Sequence, residues 1–305
     1  MTEKQRVIYY YQTFCGLGDI FSSSYMPTHI HVSSIHFGSH YIHLNNAPPD
    51  SDTFTDVWRE LQQASDMGIK IILMIGGAGG AYQEMFSDYE LYYFLLKKTL
   101  LDYPFIEGVD LDIEEEVSLD DVKMLITDLK HDFGEDFIIS MAPVQYSLEN
   151  DSPGMGGFIY KDIYHSKDID YFNGQFYNDY SLEAYQRCIE NGYPANKIVM
   201  GMIFDQNLDD NLEEIKLIKK AYPDFGGVFN WEYFDSPPDP EEHPNKWCEL
   251  VYHFLAEAER DAEAERDERT KRPEAERAER ARDVATAFLH SGDKRHNNPE
   301  DMTKT

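Results

Sequence analysis

The sequence is poor in cysteine, in basic side chains and in long apolar runs. Its three cysteines, Cys15, Cys188 and Cys248, are too few and too scattered for a disulfide framework or a zinc site, and we interpret them as free thiols. No apolar run is long enough to cross a bilayer. The formal net charge of −30 argues against nucleic acid as a partner and equally against an anionic membrane.

The negative charge is concentrated in the first five-sixths of the chain. The sequence contains 57 acidic and 27 basic side chains; residues 256–305 hold 14 and 11 of them, so 43 and 16 remain in residues 1–255. The acidity therefore belongs to the part that we expect to fold. It suits a neutral or cationic ligand, although solubility alone is a sufficient explanation.

The N-terminus also lacks the layout of a secretion signal. Met1–Arg6 leads directly into a predicted strand, without a charged stretch followed by an apolar one. We therefore expect a cytoplasmic protein if the chain acts as written, and a secreted one if a signal has been trimmed from it. We also expect a monomer.

β-rich runs alternate with amphipathic stretches along most of the sequence. In the clearest helix, Val122, Leu125, Ile126 and Leu129 recur at helical spacing. Eight strands, each followed by a helix or a loop long enough to hold one, favour an α/β fold of the (β/α)8 or TIM barrel type. The alternative, an open doubly wound sheet, would need a phosphate loop that Gln12–Gly18 does not provide. The predicted strands are Val7–Thr13, Ile30–Phe37, Lys70–Ile75, Gly108–Ile113, Phe137–Ala142, Tyr171–Phe176, Ile198–Ile203 and Gly227–Trp231, and the predicted helices include Thr55–Ala64, Leu119–Asp132, Leu182–Asn191, Leu212–Ala221 and a last one from about Asn245.

Beyond Leu255 the composition changes to alanine, glutamate and arginine. We therefore divide the chain into a barrel over residues 1–255 and a charged, helical or disordered C-terminal extension over residues 256–305. Ala256–Arg272 has the interleaved charges of a solvated helix, and we expect Pro273 to interrupt it. A partner-binding or oligomerising helix is the alternative. We assign no chemistry to this extension.

One predicted strand places three carboxylates on the same face. Alternate side chains of a strand share a face, so Asp110, Asp112 and Glu114 point one way, into a barrel interior that apolar side chains usually fill. Neighbouring carboxylates in low dielectric cannot all stay ionised, so we expect shared protons and a raised pKa for at least one member. A carboxylic acid held protonated at the mouth of a barrel is a candidate general acid. Metal binding is the rival use of such a cluster.

The segment around these carboxylates resembles a family signature. Glu107-Gly-Val-Asp-Leu-Asp-Ile-Glu-Glu115 resembles the D-G-x-D-x-D-x-E pattern of glycoside hydrolase family 18, the chitinases and endo-β-N-acetylglucosaminidases, with Glu107 in place of the first Asp. The resemblance covers about residues 6–255 and implies a catalytic TIM barrel. Further segments of the chain resemble other motifs of the family and occur in the same order. They are Met74-Ile-Gly-Gly77 with Met for Ser, Ser140-Met-Ala-Pro143, Gln175-Phe-Tyr-Asn178 and Trp231 at the end of the eighth strand.

The resemblance implies retaining hydrolysis of N-acetylglucosamine linkages without an enzyme nucleophile or a cofactor. Glu114 would protonate the glycosidic oxygen while the 2-acetamido oxygen of the substrate attacks the anomeric carbon. Asp112 would orient the acetamido N–H and stabilise the developing positive charge, and Asp110 would hold a shared proton. Tyr177 would hydrogen-bond the acetamido carbonyl.

The remaining candidate site residues would bind the substrate. Gln175 and Asn178 are partners for sugar hydroxyls, and Trp231 offers a flat face on which a pyranose stacks. Tyr10 and Met141 are predicted walls of the same subsite. The other site candidates are Gly77, at a close approach of the backbone to the mouth, and the rim histidines His36 and His43, which we interpret as satisfied within the protein.

Several functions stay open at this point. The leading one is hydrolysis of β-1,4-linked N-acetylglucosamine in chitin or chito-oligosaccharides. The first alternative is an endo-β-N-acetylglucosaminidase acting on the chitobiose core of N-glycans. A non-catalytic glycan-binding barrel and a metal-dependent hydrolase are the others, although we assign no metal ligands.

Overall fold

The computed structural model describes residues 5–164, 168–177, 179–203 and 207–292, with side chains described as far as residue 269. The β-strands of this part of the chain form one sheet. They are β1 Arg6–Tyr11, β2 His29–Gly38, β3 Tyr41–Leu44, β4 Lys70–Gly76, β5 Ile106–Asp112, β6 Ile138–Met141, β7 Tyr171–Gln175, β8 Ile198–Ile203 and β9 Gly227–Trp231.

Eight of these strands close into a barrel. The sheet runs in the order β1-β9-β8-β7-β6-β5-β4-β2-β3, and β1 also pairs with β2. Every pairing around the closed ring is parallel. The (β/α)8 TIM barrel predicted from the alternation of strands and helices is therefore confirmed. All eight predicted strands occur, with ends within two residues of the predicted ones.

The remaining strand, β3, pairs antiparallel with β2 and lies outside the closed ring. The turn between the two strands contains Ser39 and His40, both at positive φ. This hairpin is absent from the predicted strands, because four residues are too few to show a clear alternation of polar and apolar side chains.

Helices connect the strands and bury one face each against them. In the helix Leu119–Phe133, the side chain of Ser118 accepts a hydrogen bond from the backbone N–H of Asp121, and Gly134 at φ 92° follows the last turn. The helices are α1 Gly18–Ser22, α2 Thr55–Asp66, α3 Tyr82–Ser87, α4 Tyr89–Asp102, α5 Leu119–Phe133, α6 Gln145–Glu149, α7 Lys161–Tyr164, α8 Leu182–Glu190, α9 Leu208–Ala221 and α10 Lys246–Gly292.

The buried side chains form two clusters that the strands separate. The larger cluster lies between the strands and the helices, where the outward positions of each strand pack. The smaller cluster fills the barrel interior. Polar side chains share this interior, namely His31, Asp110, Ser140 and Asn173, which are all fully buried. The apolar interior residues are Ile8, Tyr10, Ile72, Met74, Ile138, Tyr171, Val199 and Phe229.

The chain divides into two compact units, Met1–Glu257 and Ala258–Thr305.

Helix α10 runs through Pro273 without a break, so the predicted interruption there is wrong. Proline removes one helical hydrogen bond, but the flanking alanine, glutamate and arginine residues are strong helix formers that offset this cost. Among the described residues, no helix is both long and apolar enough to cross a membrane.

Candidate active site

The acidic row begins inside the barrel and continues one step beyond the end of β5. Asp110 is fully buried, Asp112 is the buried last residue of the strand, and Glu114 follows on the loop and is half-buried. Val109 and Leu111 point the other way and pack in the outer cluster. The row therefore rises from the interior to the C-terminal mouth, where barrel enzymes hold their active sites.

Four side chains from four other strands converge on Asp110. Tyr10 donates its hydroxyl to Oδ2 of Asp110 at 2.7 Å, and Ser140 donates to Oδ1 at 2.6 Å. Asn173 donates its amide to Oδ1 at 3.0 Å, and Nδ1 of His31 lies 3.5 Å from Oδ2. Burial raises the pKa of Asp110, but attraction to His31 and the hydrogen bonds of these donors outweigh it, so the pKa is lowered. Asp110 is held as an anion.

Asp112 lies in different surroundings. Burial raises its pKa well above the usual range, and repulsion from Glu114 and Asp110 raises it further. The sequence predicts a raised pKa for at least one member of the row, and the structure assigns it to Asp112. The lowered pKa of Asp110 disagrees with the prediction that this residue holds a shared proton. The sequence could not show this, because the donors that stabilise the anion come from strands far away in sequence.

Gln175 connects the two upper carboxylates. Its Nε2 lies 3.4 Å from Oδ1 of Asp112 and 3.5 Å from Oε1 of Glu114. The same amide donates a shorter hydrogen bond, 2.8 Å, to the carbonyl oxygen of Ala142. The backbone of the neighbouring strand end thus fixes the amide so that it faces both carboxylates.

Tyr177 and Trp231 complete the mouth on the side away from β5. Burial raises the pKa of the Tyr177 hydroxyl, and the nearby carboxylates of Asp112 and Glu114 raise it further. Tyr177 therefore stays a neutral phenol that can donate a hydrogen bond. Trp231 is half-buried, and its ring lies tilted over that of Tyr10 with 5.2 Å between the centroids.

Two glycines bring the loop after β4 against Asp112. Gly76 and Gly77 have φ values of 91° and 85°. A Cβ on Gly76 would overlap the carbonyl oxygen of Asp112, and the N–H of Gly77 donates to that oxygen at 2.9 Å. Close backbone approach, the predicted reason for the glycines, is confirmed. The N–H of Gly77 is directed at the protein backbone.

Two further carboxylates bind loop backbones on opposite sides of the mouth. Glu115 accepts hydrogen bonds from the backbone N–H groups of Ala81 and Tyr82. Glu232, the residue after Trp231, accepts two from the N–H groups that follow β1, each at 2.8 Å. Each of these glutamates lies next to a candidate site residue and ties it to a neighbouring loop.

The family is decided by comparison with known proteins. The model described as glycosyl hydrolases family 18 matches residues 5–247. The chain belongs to this family. It is therefore a glycosidase, and the resemblance identified from its motifs is confirmed. No curated protein matches the sequence.

Solved structures of family 18 enzymes resemble this one closely. A fungal endo-β-N-acetylglucosaminidase has 31% sequence identity and a TM-score of 0.77, over 83% of this chain and 99% of that one. Chitinase ChiC from Aspergillus fumigatus has 29% identity and a TM-score of 0.72, over 82% and 99%. A chitinase from Pseudoalteromonas aurantia, at 19% identity and a TM-score of 0.63, supports the fold alone.

Two predicted subsite walls of this family 18 enzyme, Met141 and Tyr10, lie away from the wall of the mouth. Met141 is fully buried in the outer cluster, because the alternation of β6 turns its neighbour Ser140 inward, so the prediction that it forms a subsite wall is wrong. Tyr10 is buried and directs its hydroxyl to Asp110, beneath the mouth rather than along its wall. Asn178 lies outside the described residues.

The side chain of His36 is engaged within the protein. Nε2 of His36 lies 2.9 Å from the hydroxyl of Ser34, and its Nδ1 lies 2.9 Å from the carbonyl oxygen of Gly80. This confirms the interpretation of His36 as a satisfied histidine. His43 is its cross-strand partner on β3.

No role at the site was predicted for the polar residues beneath the mouth, namely His31, Ser140 and Asn173. A signal for each was present, since each is a polar side chain that alternates with apolar ones in a predicted strand. The alternation shows which face a residue occupies. It does not show that residues from three strands meet at one carboxylate.

Proposed function

We propose that this glycosidase hydrolyses β-1,4-linked N-acetylglucosamine in chitin or chito-oligosaccharides, with retention and with the substrate's acetamido group as the nucleophile. The supporting observation is the pair of Asp112 and Glu114, which lie at the mouth and share the amide of Gln175. The nearby Glu115 and Glu232 are directed at backbone N–H groups. The mouth thus offers one acid with a carboxylate neighbour two residues before it in sequence, rather than a nucleophile facing an acid across the sugar.

The two upper carboxylates divide the work. Glu114, half-buried at the entrance, protonates the glycosidic oxygen as the bond to the anomeric carbon breaks. The acetamido oxygen of the substrate attacks that carbon and gives an oxazolinium ion. Asp112 accepts the acetamido N–H and stabilises the positive charge that develops, and water then opens the ring with Glu114 acting as the base.

The uncharged side chains orient the sugar. Tyr177, held as a neutral phenol, donates to the acetamido carbonyl and so aligns it for attack. Gln175 reaches a sugar hydroxyl from its fixed position between the carboxylates. Trp231 provides an apolar face for the pyranose ring. The excess of acidic side chains in residues 1–255 is compatible with a neutral glycan.

A second candidate is release of N-glycans at their chitobiose core. The similarity to the fungal endo-β-N-acetylglucosaminidase, at 31% identity, favours it. Family 18 enzymes share N-acetylglucosamine-containing substrates, so both reactions use the same mechanism. Incubation with chitin oligomers in parallel with a high-mannose glycoprotein separates them: we expect sugar release from the oligomers, and release from the glycoprotein alone would favour the second candidate.

Substitution of the proposed acid tests the mechanism itself. We expect Glu114→Gln to lower kcat by about 10²–10⁴-fold, because the amide cannot donate the proton. Glu107→Gln is the matched control on the same strand, since Glu107 is exposed at its base and 3.8 Å from Lys70. Glu114→Gln as active as the wild type would contradict the mechanism, and a wild type that binds oligomers without cleaving them would favour a binding protein.

We expect a chelator to leave the activity unchanged, whereas a metal-dependent hydrolase would lose it.

A further inference from the structure

His31 is a fully buried histidine on β2, directly below Asp110 in the barrel interior. Its Nδ1 lies 3.5 Å from Oδ2 of Asp110, and its Nε2 lies 3.2 Å from the hydroxyl of Tyr171. Nδ1 has no hydrogen-bond partner among the described residues, so Asp110 is the polar group closest to satisfying it. Burying a histidine ring beside a buried carboxylate costs free energy. We therefore ask what role the pair has.

The proton on His31 can be located from its two neighbours. An ionised carboxylate only accepts hydrogen bonds, so the nitrogen that faces Asp110 must carry an N–H. Burial raises the pKa of Tyr171, which therefore stays a phenol that can donate to Nε2 or accept from it. We therefore assign a hydrogen to Nδ1 in the neutral and in the protonated ring alike.

The other titratable groups around His31 do not replace it. Tyr10, with 4.8 Å between ring centroids, is a neutral phenol because burial raises its pKa. His29, with 6.4 Å between ring centroids, is uncharged because burial lowers its pKa. Arg6 lies 4.4 Å above the ring of Tyr171 and hydrogen-bonds the carbonyl oxygens of two loops. Met74 and Ile72, from the adjacent strand β4, carry no charge.

We propose that His31 is a positioning residue of the reaction, which holds Asp110 as an anion from below so that the proton of the row stays with Asp112 and Glu114. This inference rests on the proposed roles of those two residues. The Asp110 anion repels a negative charge on Asp112, and Asp112 therefore keeps its proton to higher pH. Without His31, Asp110 would take up a proton and this repulsion would disappear.

The first test is the pH dependence of kcat/KM, measured with whichever glycan substrate the wild type hydrolyses. We expect His31→Leu to move the alkaline limb of the profile down by about one pH unit, because a neutral Asp110 no longer repels negative charge on the carboxyl groups above it. His29→Leu is the matched control, since this neighbour on the same face of β2 contacts Thr28 and Tyr171 instead of Asp110. We expect its alkaline limb to coincide with that of the wild type.

A purely structural role for His31 would lower stability or kcat without moving the alkaline limb, and this result in a folded His31→Leu variant would overturn the proposal. An equal shift in His29→Leu would also overturn it. Failure of the proposed function is separate, because it shows as full activity of Glu114→Gln.

A second measurement needs no variant at this position. Nitrogen NMR of the histidine rings in the wild type should show a protonated Nδ1 on His31 at neutral pH, with its resonance identified from its contact with Tyr10. A bare Nδ1 on His31 would overturn the proposal even if His31→Leu did not fold.

Discussion

Asp110 and Asp112 lie two residues apart on the same face of one strand, yet their pKa values shift in opposite directions. The lower layer of the barrel surrounds Asp110 with donors from four strands. The upper layer gives Asp112 one long hydrogen bond, 3.4 Å from Gln175, and a second carboxylate beside it. Burial disfavours both anions, and the supply of donors decides which one stays ionised.

This difference separates the tasks of the two layers. The lower layer fixes a permanent negative charge at a cost that its hydrogen bonds offset. The upper layer is left short of donors, and in the proposed mechanism its carboxyl groups remain available to a substrate. A fully satisfied upper layer would be more stable and less reactive, which is the usual opposition between stability and activity at a site.

The largest effect is expected from Asp112→Asn. An amide at this position cannot become an anion where positive charge develops, so kcat should fall by about 10²–10³-fold. The effect on stability should have the opposite sign. The raised pKa of Asp112 means that its contribution to folding is present below the unfolded value near 3.8 and is lost as the pH rises through the folded pKa. Asn mimics the protonated form, so thermal melts should show the variant gaining stability over the wild type as the pH rises. A constant difference across pH would contradict the protonated state of Asp112.

Asp110→Asn should act chiefly on stability. The lowered pKa of Asp110 means that its contribution is present above the unfolded value of 3.8 and is lost as the pH falls through the folded pKa. We expect the free energy of unfolding at pH 7 to fall by about 3 kcal/mol, because the buried donors lose their anion. Denaturant unfolding should show the gap to the wild type closing below about pH 4. A gap that persisted unchanged in acid would show that Asp110 is already neutral in the folded wild type.

The smallest effect is expected from Met141→Leu, which tests the separation of the two faces of β6. Met141 packs in the outer cluster, so a swap of similar volume should cost less than about 1.5 kcal/mol and leave KM unchanged. Its inward neighbour Ser140 donates to Asp110, and Ser140→Ala should cost about 1–3 kcal/mol. A raised KM in Met141→Leu would return this residue to the wall of a subsite.

Much of this enzyme could be predicted from its sequence because the relevant patterns are local. The period of two along Gly108–Ile113 placed the carboxylates on one face, and the spacing of strands and helices indicated the barrel. Family motifs then gave Glu114, Gln175, Tyr177 and Trp231 their proposed places. Each of these inferences uses residues within one element, where backbone geometry dictates the direction of a side chain.

Contacts between distant strands were decided only by the tertiary structure. The closure of the barrel brings Tyr10, His31, Ser140 and Asn173 to one carboxylate, and no local pattern encodes that meeting. The register of β6 also turned Met141 outward, away from the site that its motif suggested. The sequence by itself predicted which side chains would carry the chemistry. The tertiary structure determined which of them holds the proton, because a pKa depends on neighbours in space rather than on neighbours along the chain.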